Sequence, residues 1–323
     1  MKSLAQSCRF LIRVLAAGCL LPATVFAAQP VLVPHIPGDW WTIAGDPDLG
    51  ALTSPKQQPV DFALWPAADG TWQLWSCVRG TRCGGNTRLF HRWEGRSLTD
   101  TNWTPKGIAM EARPDLGETA GGLQAPYVLK INGRFHMFYG EWLRIGVATS
   151  EDGKSFTRRL TPDGKPGLFG EGAGNNARDP MVIFTRGLWH CYYTAHPNRS
   201  GAVYVRTSPD THTWSPSRIV AFGGAAGTNF TSAECPFVVE LSAGEYYLFR
   251  TQRYGANAIT RIYHSRNPLD FGVQHDEGHL LGSLPVAAPE ILQHQGQWYV
   301  ASLLPSLKGI RLARLEWRPH EPR

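Results

Sequence analysis

An all-β, five-bladed β-propeller with four-stranded antiparallel blades is the fold this sequence predicts, on three observations. First, one short pattern recurs five times: an apolar run, a glycine, then a run rich in aromatics. The copies are VDFALWPAADGTWQLWSC, QAPYVLKINGRFHMFYG, RDPMVIFTRGLWHCYYT, ECPFVVELSAGEYYLFR and APEILQHQGQWYVASLL. Their glycines are Gly70, Gly133, Gly187, Gly244 and Gly296. A period of about fifty to sixty residues built from strand pairs is a propeller signature. Second, the apolar runs are short, β-branched or aromatic, and bounded by Gly, Pro, Asn and Asp, which is strand grammar. Third, no stretch carries helical periodicity.

The elements follow in order. Residues 1–27 read as a secretory signal peptide: Lys2, Arg9 and Arg13 precede an apolar stretch from Val14 to Phe26, and Val25-Phe26-Ala27 is a small-residue cleavage site. Pro22 and the shortness of the run argue against a membrane anchor. Leu15-Ala16-Ala17-Gly18-Cys19 loosely resembles a lipoprotein acylation box, with Ala16 where leucine is preferred. The expected location is therefore outside the cytoplasm, secreted or periplasmic, with no membrane attachment after cleavage. Residues 28–58, rich in proline and aspartate, read as an irregular lead-in. Residues 59–323 read as the propeller and carry the chemistry.

Within that domain Asn132-Gly133 is the strongest hairpin signal, lying between two apolar runs. Outer strands follow each core pair, as in IGVATSEDGKSFTRR, AVYVRTSPDTHTWSPSR and ITRIYHSRNPLDFG. Most inner-strand aromatics are expected to fill space between blades. The formal charge is +6, or +3 without the three cations of the leader, and no basic run is present. Nucleic acid is thus excluded as the main partner. A monomer is expected. Of four cysteines beyond the leader, Cys77 and Cys83 flank a short loop where export permits a disulfide, while Cys191 and Cys235 sit in apolar runs. No zinc or haem spacing occurs.

Three repeats open on a carboxylate: Asp61, Asp179 and Glu234. Strand starts in successive blades surround a common axis, so these groups are expected to converge on one pocket. Two carboxyls suffice for glycosidic cleavage, one protonating the leaving oxygen and one activating water or attacking carbon. A third raises the acid's pKa by like-charge repulsion. Gln124 and Glu290 head the other two repeats and are expected to approach substrate. Arg178 and Arg250 are available to bind a hydroxyl or to pair with Glu234. Trp65 and Trp142, with Trp40 and Trp41, are candidates for stacking on sugar faces. Asp46 and Asp48 rival Asp61 but precede the first recognisable repeat strand. Gly172 to Ala177 superficially suggests a dinucleotide loop, but no strand precedes it and no helix follows.

Arg178-Asp179-Pro180 and Glu234-Cys235-Pro236 resemble the RDP and EC motifs of the five-bladed propeller glycosidases, families 32 and 68. The Asp, Asp, Glu order is similar to that of family 43, which includes arabinanases, arabinofuranosidases and xylosidases. The resemblance spans all five repeats. It implies a glycoside hydrolase with Asp61 as general base or nucleophile, Asp179 as orienting carboxylate and Glu234 as general acid. It further implies an oligo- or polysaccharide substrate, arabinose- or xylose-containing glycans before β-fructosides, and no organic cofactor. A channel calcium or sodium ion occurs in some relatives, but no ligand signature marks one in this sequence. The family 32 Asn-Asp-Pro-Asn-Gly motif is absent, with Val60-Asp61-Phe62-Ala63 in its place. A non-catalytic glycan-binding propeller is the alternative from another class.

Overall fold

A computed structural model describes residues 30–320; the leader, residues 1–27, lies outside the described residues. Five antiparallel sheets follow one another along the chain. Blade 1 takes Gln58–Pro66, Trp72–Arg79, Leu89–Gly95 and Thr104–Met110, from the axis outward. Blade 2 opens with Gln124–Ile131 and Arg134–Gly140, blade 3 with Arg178–Thr185 and Leu188–Ala195. Blade 4 opens with Glu234–Ser242 and Glu245–Arg253, blade 5 with Glu290–His294 and Gln297–Leu303. Blades 2 and 3 each gain a short extra strand, and in blade 3 that strand, Val273–Gln274, pairs in parallel.

The repeat glycines sit at the hairpin tips of the innermost strand pairs. All five have φ between +77° and +86°, the left-handed region that glycine alone enters without cost. In blades 2, 3 and 5 the preceding residue, Asn132, Arg186 or Gln295, is also left-handed, which is the two-residue hairpin geometry that matches strand twist.

The stretch expected to be an irregular lead-in instead contains two strands. Leu32–His35 pairs with Glu316–Pro319 and Trp41–Gly45 with Gly309–Leu312. Both lie on the outer side of Gly309–Pro319, the last long strand, so the chain's beginning supplies the outer edge of blade 5. Its sequence conceals this because the strands are four and five residues long and separated by a proline-glycine turn.

Aromatic side chains fill the wedges between blades, as expected. Trp65 and Trp75 of blade 1 meet Phe156 of blade 2 at 5.9 and 5.3 Å between ring centroids. Phe90 meets Tyr139 edge-on at 6.2 Å. Such pairs contribute roughly 0.5–1.5 kcal/mol beyond their buried area.

The disulfide does not form: all four described cysteines are free. Cys77 and Val78 are neighbours on one strand, so their side chains leave opposite faces. The Cys77 thiol turns inward to the Leu123 carbonyl at 3.3 Å. Cys83 packs on the other side, with Leu49, Val78 and Leu89.

Candidate active site

Each innermost strand begins with the same backbone irregularity. Asp61, Ala125, Asp179, Cys235 and Ala288, one per blade, all have φ between +38° and +56°. In blades 1 to 4 the pairing slips by one residue at this point. A left-handed conformation costs a residue with a β-carbon about 1–2 kcal/mol. Five such residues around one axis are the kind of local strain that gathers at functional sites. In four blades the next residue is proline, Pro126, Pro180, Pro236 or Pro289. Proline has no amide hydrogen to lose from a ladder that is already interrupted.

This register revises the expected equivalence of the three carboxylates. Asp61 and Asp179 share the left-handed position. Glu234 stands one residue earlier, in register with Val60, Gln124 and Arg178. Because alternate residues leave opposite faces of a strand, the two sets point differently. Asp61, Asp179, Cys235 and Glu290 line a narrow channel of about 20 Å³ at the axis. Gln124, Arg178 and Glu234 line an open pocket of about 790 Å³ above it, and Asp61 reaches both.

The three carboxylates do converge. Tyr254 donates its hydroxyl to Asp61 Oδ1 at 2.8 Å, and the Cys235 thiol donates to the same oxygen at 3.2 Å. The Cys235 amide donates to Asp179 Oδ2 at 2.9 Å. Arg178 grips Glu234 with two bonds, Nη2 to Oε1 at 2.7 Å and Nε to Oε2 at 3.0 Å, and passes 3.8 Å from Asp179. The side chain of Asp179 is 2% exposed and that of Glu234 13%, so solvent and ligand reach Glu234 first.

Charge is distributed unevenly. Burial, then the negative charges of Asp61 and Glu234, push the Asp179 carboxyl well above its ordinary value. Its Oδ1 is buried without an acceptor or donor partner. Burial is the largest influence on Glu234 and pushes it up, but the Arg178 guanidinium, with smaller help from Asp179 and His196, leaves it below the ordinary value. Asp179 therefore holds a proton more readily than Glu234 does. Burial, then Asp179 and Asp61, hold the Cys235 thiol well above its usual pKa, so it stays a neutral donor. Glu290 is likewise pushed up by burial.

Asp61, Asp179 and Cys235 present potential ligand atoms within 4.8 Å of one another. A neutral thiol is a poor ligand for calcium or sodium, which take six or more oxygens. Both carboxylates, moreover, already accept hydrogen bonds from neighbouring groups. The arrangement does not fit a hard cation.

Other expected residues fall in two groups. Gln124, Arg178 and Trp142 line the pocket, and Gln124 Oε1 is buried without a partner. Trp65 does not: it is 4% exposed in the core, its indole nitrogen bonded to the Gly153 carbonyl at 2.8 Å. Arg250 is also elsewhere, 1% exposed beneath the loop leading to Glu234, where it donates to the carbonyls of Ser232 at 2.7 Å and Gly227 at 3.0 Å. It holds that loop rather than ligand. Asp46 bonds Gln57 and Lys308, Asp48 caps its own turn at Gly50, and neither lines the pocket. Trp40 stacks under Arg311 at 4.1 Å in the closing blade.

Sequence reasoning missed Tyr254, His196, Arg79, Arg88 and Arg253, all of which line the pocket. Four wall residues do carry a signal. Val60, Gln124, Arg178 and Glu234 pair across the ladder with Cys77, Gly140, Thr194 and Thr251. Two residues beyond those partners stand Arg79, Trp142, His196 and Arg253. The repeat therefore places a second ring of side chains at the ends of the second strands.

The neighbours among known proteins match this architecture. No family model matches the sequence. The fold is similar to a thermostable family-43 glycoside hydrolase, TM-score 0.58 at 16% identity, covering 84% of this chain and 96% of that one. It is equally similar to an endo-arabinase from Bacteroides thetaiotaomicron, TM-score 0.58 at 14% identity, covering 85% and 99%. The RS223 β-xylosidase follows at TM-score 0.56 and 14% identity, covering 83% and 95%. By sequence the chain is similar to a probable sucrose-6-phosphate hydrolase of Vibrio cholerae, 23% identical over 218 residues and 61% of this chain. It spans 39% of that relative's length. The fold is thus the five-bladed propeller found in family-43 glycoside hydrolases.

Proposed function

We propose that this protein is a glycoside hydrolase in which Glu234 and Asp61 act across the scissile bond and Asp179 orients Glu234 and modulates its pKa. The carrying observation is that Asp61 and Glu234 line one open pocket while Asp179, buried and with its carboxyl pushed well above its ordinary value, lies behind them. Glu234 protonates the leaving oxygen. Asp61, held in place by hydrogen bonds from Tyr254 and Cys235, activates water or attacks the anomeric carbon. The proton that Glu234 gives to the leaving oxygen is made good by the attacking water, through Asp61 and solvent if the enzyme inverts or by Glu234 itself if it retains. The reaction so written draws on carboxylates and water and calls for no organic cofactor. Arabinose- and xylose-containing glycans are the leading substrates, consistent with the arabinase and xylosidase neighbours. β-Fructosides come second, consistent with the curated relative. Export to the periplasm or medium and action as a monomer complete the reading.

One observation favours a second reading. The two-bonded Arg178–Glu234 pair opposes protonation of Glu234 and would serve a non-catalytic glycan-binding propeller equally well. Wild type and Glu234→Gln assayed on aryl glycosides and on arabinans, xylans and fructans separate the two. A glycosidase loses roughly 10²–10⁴-fold in kcat on the glycans in the variant, the contribution of positioned proton transfer. An inactive wild type across the whole panel leaves the binding reading standing.

A further inference from the structure

We propose that the sugar entering this pocket carries an anionic group, a uronate carboxylate or a phosphate ester, and that Arg88, Arg253 and Arg79 receive it. This rests on the glycoside reading of the site and deepens it. Four guanidiniums, those of Arg79, Arg88, Arg178 and Arg253, line a pocket to which only two carboxylates, Asp61 and Glu234, contribute. Arg178 is consumed by Glu234. The other three have no ion pair with a carboxylate among the described residues. Elsewhere two part-buried arginines are matched by carboxylates, Arg158 to Glu118 and Arg206 to Glu171, and the buried Arg250 is matched by backbone carbonyls.

The three are also placed for a ligand. Arg79 has its Nε held by Gln58 Oε1 at 2.9 Å and its guanidinium 5.8 Å from the Tyr254 ring centroid, which leaves its outer nitrogens unused. Arg88 rests on the face of Trp142 at 4.8 Å, an aromatic platform that fixes its plane. Trp142 itself is held at φ 86°, a strained backbone for a large side chain. Arg253 is exposed at the rim, in register with Arg79. A neutral pentose offers only hydroxyls and ring faces, which would leave the charge of three unpaired cations unneutralised. Planar forks stacked on aromatic rings are suited to carboxylate and phosphate oxygens.

The test measures binding by calorimetry of the wild-type protein with D-glucose, D-xylose, D-glucuronate, D-glucose 6-phosphate and inorganic phosphate. At least one acidic sugar is expected to bind about tenfold or more tighter than D-glucose, because hydrogen bonds to charged groups are roughly twice as strong as neutral ones. The advantage should shrink as salt is raised. Arg88→Gln and Arg253→Gln should each remove most of it, weakening the acidic sugar severalfold more than D-glucose. Preference for glucuronate assigns a uronate, and preference for glucose 6-phosphate assigns a phosphate ester. Acidic sugars that bind no tighter than D-glucose, undetectable binding included, overturn the proposal, as does inorganic phosphate binding equally well in wild type and both variants. Rapid hydrolysis of neutral glycans alongside that result leaves the glycosidase reading intact. Acid-sugar binding without hydrolysis of any glycan overturns the glycosidase reading alone.

Discussion

Glu141 offers a measurement of how the pocket wall titrates. It directly precedes Trp142 and is 4% exposed, with the Thr119 amide donating to its Oε2 at 3.3 Å. Burial first, and the nearby charge of Glu118 against the Thr119 bond, push its carboxyl from 4.5 to about 7. The folded protein therefore keeps this proton to a higher pH than the unfolded chain does. Stability from this group is complete below pH 4.5 and is lost as the pH rises through about 7. The difference corresponds to about 3 kcal/mol in full. Glu141→Gln keeps the shape and an acceptor for Thr119 but does not titrate. In urea unfolding at matched m-values, the variant should gain on the wild type by about 2 kcal/mol between pH 5.5 and pH 8.5. A gap that stays constant over that range, or a variant less stable at pH 8.5, refutes the reasoning.

Arg178→Met should cost about 3–5 kcal/mol at pH 8, because it strands a buried carboxylate. The loss should be smaller at pH 5, where the released Glu234 takes a proton, and thermal melts at both pH values check this. Gly133→Ala places a β-carbon in open space but at φ 86°, so it should cost about 1 kcal/mol from backbone strain alone, read by urea unfolding. Alkylation of the folded protein should reach Cys83 and leave Cys77 and Cys191 unlabelled until denaturant is added. A peptide pair linked through Cys77 and Cys83 would contradict the structure.

The blades were legible in the sequence because hairpin chemistry is local. A glycine between two apolar runs specifies its turn whatever surrounds it, and all five were found. The carboxylates were legible for a coarser reason: they sit at repeat starts. The register was misread by one residue at Glu234, since a bulge inserts an extra residue that alternation alone does not reveal. The proline that follows the left-handed residue in four blades, Pro236 after Cys235 among them, was the missed sign. Trp65 and Arg250 were misplaced because each is repeat-aligned yet faces the interior, and only packing decides between two faces of a strand. Tyr254 and Arg88 come from loops outside the repeat, and nothing in their local sequence marks them. The closing strands were missed because their partner lies some 280 residues away.

That closure sets a condition on when the protein can fold. The first described strand completes a sheet whose other members are made last, so the ring stays open until nearly all of the chain is available. Blades 1 to 4 can form as hairpins during synthesis, but the fifth cannot seal. Until it does, the long strand Gly309–Pro319 presents an unpaired edge, the feature that recruits other chains. Any factor that shields that edge, or shortens the time it is bare, should govern the yield of folded protein more than the stability of the finished ring does.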